Sequence, residues 1–363
     1  LPEKGRIPLR RQVAALNLTE LTLACISLQN DKLFFDFHCP VALCNPYKIY
    51  YVLEEICRIG DKYDDEFCNE FYKCVDEHLL TEDKTVKDKK SRIEQLEQRI
   101  VGYSNKLFKK SIGDFKELIL MPYKEIEKNY LYMKINDKKT EHIFTTYKPD
   151  FDEMIGAYKR VVESTSNKIK MNVRMVNESK LYVCPYCNRS YISSRGEEVS
   201  GAQLDHFFPK SAYPIFALCL YNLVPSCGDC NRVKSKSTVE LISPFDYTVD
   251  WNKIKFSYEP INTQDNKITI NTSDLKMKNN INEMKIEEAY QIHGEEVNRL
   301  TEKKMMYEKS QIEEFDEVLK KINITQSDYK ELIFGPQITD DMLKKMPLGK
   351  LKRDLMNELE IYK

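Results

Sequence analysis

The sequence predicts an α+β, mostly helical protein in which a small cysteine-stapled unit is flanked by helical N- and C-terminal regions. Two CxxC pairs indicate the small unit, Cys184 with Cys187 and Cys227 with Cys230. Apolar residues at helical spacing on both sides of these pairs indicate the helical regions. We therefore expect three parts, residues 1–180, 181–246 and 247–363.

The composition is that of an ordinary globular chain of 363 residues, 42% of them hydrophobic. Its 56 basic and 57 acidic side chains leave a formal charge of -1, so bulk charge neither indicates nor excludes a nucleic-acid partner. No run approaches the roughly 18 apolar residues of a membrane-spanning helix, and the opening LPEKGRIPLRR lacks the apolar segment of a signal peptide. We expect a cytoplasmic location, no membrane contact, and reduced thiols among the 11 cysteines.

The N-terminal part reads as helical over 46–80 and again through Leu107. Farther on, NYLYMKI and EHIFTTY read as short strands and 153–170 as a helix.

Four residues near the start of the N-terminal part raise the question of a second metal: His38, Cys39, Cys44 and Cys57. Their spacing fits no ligand pattern, so buried small hydrophobes are favoured and the region is interpreted as an interaction or substrate-positioning domain.

The C-terminal part begins with a strand-like segment over 253–275. A long helix or helix pair follows over 281–323, with His293 on its apolar stripe as a packed helix histidine. Phe334-Gly335-Pro336 interrupts the helical pattern, and a last helix is predicted from about Lys350.

The two CxxC pairs predict one zinc site. Each turn places two thiolates on one side of a tight bend, and two such turns complete a tetrahedral shell. The predicted ligands are Cys184, Cys187, Cys227 and Cys230. A redox CxxC or four buried thiols are the alternatives. Because four thiolates leave no position for substrate, the zinc would be structural, and the segment between the pairs must carry the function.

That segment contains Asp205, His206 and Asn222. Taken singly, they read as a turn former, a core histidine and a loop cap. Adjacent side chains on a strand point to opposite faces, but Phe207-Phe208-Pro209 indicates that the strand ends here. The Asp-His pair would then lie at a rim.

Asp205-His206, then Asn222, then Asn231 directly after the second cysteine pair, resembles the HNH endonuclease motif in a DH-N-N form, over roughly 184–236. The resemblance implies a zinc-stapled ββα-metal nuclease unit. It implies that His206 is the general base, that Asp205 and Asn231 bind Mg2+ or Mn2+, and that Asn222 holds the loop and orients His206. Asn231 stands where the eponymous motif has its last histidine, which leaves the identity of the metal open.

Basic residues close to these positions are candidates for nucleic-acid phosphate contacts, namely Lys210, Arg232 and Lys234. Lys236 is read equally well as part of a solvated charge run. Farther along, AYQIHGEEVNRLTEK, ELIFG and MPLGKLKRDL are similar to the C-terminal helices of Septu-type antiphage defence nucleases. That resemblance implies an ATPase partner protein.

The sequence thus leads to a metal-dependent HNH endonuclease that hydrolyses DNA phosphodiester bonds. A non-catalytic zinc-finger module that binds nucleic acid or protein is the alternative from a different class. An RNA-cleaving enzyme of the same type is the second alternative, because this active-site chemistry does not have to contact the 2′-hydroxyl.

Overall fold

The computed structural model of the protein describes residues 25–29, 32–36, 65–80, 89–166, 168–246, 248–262, 265–307 and 325–362. The chain divides into two compact units, Leu1–Cys68 and Asn69–Lys363. In the first unit, β1 (Cys25–Gln29) pairs with β2 (Lys32–Asp36) in an antiparallel hairpin. His38, Cys39, Cys44 and Cys57 lie outside the described residues, so the question of a second metal stays open.

The part of the chain before the cysteine unit is helical. Its helices are α1 (Asp65–His78), α2 (Lys89–Leu107), α3 (Phe115–Ile119), α4 (Tyr123–Ile135), α5 (Asp137–Thr146), α6 (Lys148–Glu163) and α7 (Met171–Glu178). Two short strands, β3 (Thr165–Ser166) and β4 (Ile169–Lys170), separate α6 from α7. In α2, Ile93, Leu96 and Ile100 are buried at helical spacing, so one face of the helix packs in the core.

The two short strands expected in this region are wrong. NYLYMKI forms the end of α4, and EHIFTT lies in α5. Ile126, Tyr130 and Met133 of α4 are buried at spacings of four and three residues, which is the period of a helix. Tyrosine and isoleucine are common in strands, but strand preference depends on context, and burial of this helical face overrides it. The helix expected over 153–170 is α6, which ends at Glu163.

The centre of the cysteine unit is an antiparallel hairpin followed by a helix. Strand β5 (Gln203–His206) pairs with β6 (Leu223–Ser226) from Gln203 opposite Ser226 to His206 opposite Leu223. Between the strands, the chain makes two 3-10 turns, Pro214–Phe216 and Leu220–Asn222. Helix α8 (Gly228–Lys234) follows directly and packs against β5. Strand β5 ends at His206, before Phe207-Phe208-Pro209.

The C-terminal part opens with a hairpin of β7 (Lys255–Pro260) and β8 (Asn266–Asn271), in the predicted strand-like segment. The helices that follow are α9 (Leu275–Glu283), α10 (Ile286–Tyr290), α11 (Gly294–Met306), α12 (Gln326–Phe334), α13 (Asp340–Leu343) and α14 (Gly349–Glu358). The long helix or helix pair expected over 281–323 is divided more finely: Lys285, whose φ of 51° is left-handed, separates α9 from α10, and a 3-10 turn over Gln291–His293 separates α10 from α11. Residues 308–324 lie outside the described part. Helix α12 ends before Gly335, as predicted.

The protein is therefore α+β and mostly helical, as the sequence predicted. Helices from both flanks contact the cysteine unit within the compact unit Asn69–Lys363. The Tyr158 hydroxyl of α6 donates to the Leu204 carbonyl at 3.1 Å, and the Tyr290 hydroxyl of α10 donates to the Cys187 carbonyl at 2.6 Å. The boundaries at 180 and 246 stay predictions. Among the described helices, none has the length and apolar character required to cross a membrane.

Candidate active site and zinc centre

Four cysteine sulfurs meet beside the β5–β6 hairpin. The sulfurs of Cys184, Cys187, Cys227 and Cys230 lie within 4.8 Å of one another, and all four residues are buried. Tetrahedral zinc with Zn–S bonds of about 2.3 Å needs sulfurs about 3.8 Å apart. The Cys187 and Cys227 sulfurs are 3.9 Å apart. The four predicted ligands therefore fit a zinc ion in number, chemistry and spacing.

Local backbone geometry forms each cysteine turn. In the first, the Asn188 N–H donates to the Cys184 carbonyl at 2.8 Å, and Asn188 adopts a left-handed φ of 50° that closes the turn. In the second, Cys227 caps α8, and its sulfur accepts the Cys230 N–H at 3.5 Å. The Cys227 N–H also points at the Cys184 sulfur, at 3.3 Å. Backbone N–H groups directed at sulfur favour the thiolate form that zinc binds.

The C-terminal helices hold the first cysteine turn in place. Tyr290 is fully buried, and burial raises the pKa of its hydroxyl well above the usual value. The Arg189 Nε–H donates to His293 Nε2 at 3.1 Å, and the guanidinium lies 5.8 Å from the Tyr290 ring centroid. His293 is thus a packing residue at the end of a 3-10 turn, next to the first cysteine turn.

Asp205 is buried and fully engaged by the protein. Lys234 approaches both of its carboxylate oxygens, at 2.9 Å from Oδ2 and 3.2 Å from Oδ1. The Tyr186 hydroxyl, from within the first CxxC turn, donates to Oδ2 at 2.6 Å. Burial and the charge of Asp205 raise the pKa of Tyr186 well above its usual value, so it remains a donor. The carboxylate is thus fixed between the cysteine turn and α8.

His206 takes its partners from the other side of the hairpin. Its Nε2–H donates to the Ala217 carbonyl at 3.0 Å. A carbonyl can only accept, so Nε2 carries the proton and Nδ1 holds the lone pair of the neutral imidazole. The ring packs edge-on against Tyr158 of α6, with centroids 4.4 Å apart. Burial, followed by the charge of Lys210, lowers the pKa of His206 from 6.5 to about 3.

Asn222 fastens the loop that carries the acceptor of His206. Its Oδ1 accepts the Phe208 N–H at 2.8 Å, and its Nδ2 donates to the carbonyls of Phe208 and Phe216 at 3.1 and 3.0 Å. These bonds join the chain just after His206 to the residue just before Ala217. Asn222 therefore holds the loop through the backbone of Phe208 and Phe216, and its predicted role in orienting His206 stays a prediction.

Asn231 lies in α8 on the same side of the hairpin as Asp205, but it has a different partner. Its Nδ2 donates to Gln203 Oε1 at 2.8 Å. Both oxygens of Asp205 are engaged by Lys234 and Tyr186. A divalent ion therefore does not fit at Asp205 and Asn231 in this arrangement, because its first ligand is already occupied by another cation.

The predicted phosphate contacts have three different environments. Arg232 is exposed and pairs with Asp229 at 2.6 Å. Lys210 is half-buried, with its ammonium 4.3 Å from the centroid of the Tyr158 ring, and burial lowers its pKa. The Lys234 side chain is 0% exposed. That burial argues against Lys234 as a phosphate contact, because an ammonium paired inside the protein cannot reach a nucleic-acid backbone. Lys236 is exposed.

Two functional neighbours were missed from the sequence. Tyr186 lies inside a CxxC turn, and an aromatic residue at that position was the available signal. Tyr158 gave no signal, because it lies in a helix far from the motif in the chain.

No protein-family model, curated protein or solved structure matches this chain.

Proposed function

We propose that the protein is an HNH-type endonuclease that hydrolyses DNA phosphodiester bonds, with His206 as the general base. The observation that carries the proposal is the tautomer of His206, which ends β5 with its Nε2–H bound to Ala217 and its lone pair on Nδ1. A base must present a lone pair in a fixed direction to take a proton from water. The hairpin followed by α8, with the zinc ligands at its base, supports the same proposal.

Lys210 supplies the charge that a phosphodiester substrate would meet. It shares the Tyr158 ring with His206, and its positive charge contributes to the low pKa of the imidazole. A phosphate bound at Lys210 would offset that charge and favour the imidazolium. Substrate binding would then raise the pKa of His206 by the part that Lys210 contributes, while burial, the largest cause of the low value, would have to be relieved separately.

The proposal includes Mg2+ or Mn2+ at Asp205 with Asn231 as a second oxygen donor. Hard oxygen ligands of this kind suit either ion, and a bound ion would offset charge on the phosphoryl oxygens. Both oxygens of Asp205 are engaged by Lys234 and Tyr186 in the arrangement described here, so an ion at Asp205 requires the Lys234 ammonium to leave first. The role of zinc is separate, since its four thiolates leave no open position. An antiphage role and an ATPase partner rest on the C-terminal resemblance alone.

The burial of Asp205 and His206 supports a second candidate function. In this candidate, the protein is a non-catalytic zinc module that binds nucleic acid or protein. His206 is only 9% exposed, and Tyr158 packs against its ring. Under this hypothesis the buried pair has a structural role. Binding to nucleic acid would weaken with salt and would not depend on Mg2+. Cleavage of RNA instead of DNA is the remaining alternative.

The test is cleavage of supercoiled plasmid, and of a single-stranded RNA, by zinc-loaded wild type and by His206→Ala. Each protein is assayed with Mg2+, with Mn2+ and with EDTA. We expect the wild type to cut DNA only with a divalent ion, and His206→Ala to lose at least 100-fold in rate, the lower range of general-base contributions. His142→Ala, an exposed histidine of α5, is the matched control and should cut like wild type.

His206→Ala must keep its zinc and stay folded at the assay temperature, as thermal unfolding measures, so that a lost rate is not a lost fold. Full activity in a folded His206→Ala would refute the proposal. Salt-dependent binding without any cleavage would favour the zinc module, and cleavage restricted to RNA would change the substrate class.

A further inference from the structure

The Lys234 ammonium is held inside the protein by an ion pair and by hydrogen bonds. It donates to Asp205 Oδ1 at 3.2 Å and to the His206 carbonyl at 3.0 Å, and it lies 2.9 Å from Asp205 Oδ2. The face of the Phe207 ring lies 5.6 Å from the ammonium. Its side chain is 0% exposed. The acceptors around the ammonium therefore form a buried binding site for a positive charge, and Lys234 fills it.

The position of Lys234 within α8 gives the reason for this burial. Cys230 must face the zinc centre, and a residue four positions later lies on the same face of a helix. Lys234 is the last residue of α8, and the next residue, Ser235, has a φ of 47°. That left-handed backbone is unfavourable for a residue with a Cβ. The ammonium therefore lies at a strained helix end.

We propose that Lys234 is an internal counter-ion that competes with a divalent metal for Asp205. The proposal rests on the function proposed above, which assigns the metal to that carboxylate. A divalent ion and an ammonium repel each other and need the same two oxygens. The ion binds Asp205 only when the ammonium leaves, and the conformation described here is the metal-excluding one. Lys234 thereby sets how much free metal the protein needs.

The first test measures Mn2+ binding to zinc-loaded protein by electron paramagnetic resonance of the free ion. Lys234→Met removes the ammonium and keeps an unbranched side chain against Phe207. We expect it to bind one Mn2+ at least tenfold more tightly than wild type. Lys236→Met, two residues away and exposed, should bind like wild type. Adding Asp205→Asn to Lys234→Met should abolish the gain, which assigns the bound ion to this carboxylate.

The second test uses only wild-type protein, in case Lys234→Met does not fold. Amine acylation followed by mass spectrometry reports which lysines are accessible. Without divalent ions Lys234 should stay unmodified, whereas Lys236 should react. Saturating Mn2+ should increase the reaction of Lys234 at least tenfold and leave Lys236 unchanged. Continued protection of Lys234 at saturating Mn2+ would overturn the proposal.

The two proposals fail separately. If cleavage depends on His206 while Mn2+ binding is the same in wild type and Lys234→Met, the counter-ion proposal is wrong and the nuclease stands. If Lys234→Met binds Mn2+ more tightly through Asp205 but nothing is cleaved, the counter-ion proposal stands and the nuclease is refuted. If neither protein binds Mn2+ through Asp205, the counter-ion proposal is also overturned.

Discussion

The four-cysteine site and the Asp205–His206 pair lie close together in the chain's central unit, yet they differ in what their side chains contact. The four sulfurs lie within 4.8 Å of one another, at the spacing that a tetrahedral zinc ion requires. Asp205 and His206 instead contact side chains and carbonyls of the protein itself, from α8, the first cysteine turn, the loop and α6. The first site is arranged to take its metal, and the second is arranged so that something must move before it can.

The difference has a local cause. A CxxC turn positions both of its ligands through its own backbone, so each half of the zinc site is complete within a few residues. Asp205 and His206 are adjacent on β5, where successive side chains point to opposite faces. One therefore meets α8 and the other meets α6. Two consecutive residues of one motif can thus lie in two separate environments.

The largest effect should come from removing a zinc ligand. Cys184→Ser should lose bound zinc and destabilise the protein by more than about 5 kcal/mol, because zinc binding in small domains supplies about 10–16 kcal/mol. Metal analysis and thermal unfolding measure both effects. Cys219→Ser is the matched control, since Cys219 is equally buried and donates to the Leu118 carbonyl at 3.2 Å, a bond that serine keeps. Unchanged zinc content in Cys184→Ser would contradict the four-cysteine site.

A smaller effect should appear in the pH dependence of the free energy of unfolding, to which His206 contributes. The pKa of His206 is lowered in the folded protein, from 6.5 to about 3, so the unfolded chain binds the proton first as pH falls. Its contribution to stability is complete above pH 6.5 and decreases toward pH 3. Between pH 6.5 and pH 4 the loss should reach about 3 kcal/mol, at about 1.4 kcal/mol per pH unit.

Urea unfolding at several pH values measures this slope. His206→Gln removes the titrating group, so the decrease in the free energy of unfolding over this pH range should be smaller by that amount than in wild type. Carboxylates titrate in both proteins and cancel in the comparison. Equal slopes in the two proteins would mean that His206 is accessible to protons and not held neutral by burial.

The cluster of four cysteines could be predicted from the sequence because its geometry is local, and the end of β5 at His206 was predicted from one turn signal, Phe207-Phe208-Pro209. The burial of Lys234 was missed because the residue was interpreted together with Arg232 and Lys236 as a basic run. The burial of Lys234 could have been predicted from its spacing in α8. Cys230 faces inward, and a residue four positions later lies on the same face of the helix. Tyr158 was beyond prediction, because only tertiary packing brings α6 to His206.

The misassigned strands in α4 have a related cause. NYLYMKI is short and rich in residues that suit either a strand or a buried helix face. Including Ile126, which precedes it, reveals the helical period with Tyr130 and Met133. Windows of seven residues are too short to separate periods of 2 and 3.6 when both faces carry large side chains.

The link between the two sites should give a third, smaller effect. Tyr186 belongs to the first cysteine turn, and its hydroxyl donates to Asp205 at 2.6 Å. Tyr186→Phe removes that bond and keeps the ring, so the protein should lose about 2 kcal/mol, the usual value for a hydrogen bond to a charged group. Zinc content should not change. A loss of zinc in Tyr186→Phe would mean that the two sites are one energetic unit, which would remove the contrast between them.

The smallest effect should come from the outer support of the zinc centre. Tyr290→Phe removes the bond to the Cys187 carbonyl, and a neutral hydrogen bond contributes about 1 kcal/mol. Phenylalanine keeps the contact with the Phe256 ring, whose centroid lies 4.6 Å away. Because the carbonyl belongs to a ligand residue but not to the metal shell, we expect a small loss of stability, measured by urea unfolding, with full zinc content. If Tyr290→Phe instead released its zinc at a lower chelator concentration than Tyr186→Phe does, the C-terminal helices would affect zinc affinity more strongly than Asp205 does. The four-cysteine site would then depend on residues far away in the sequence, as His206 does.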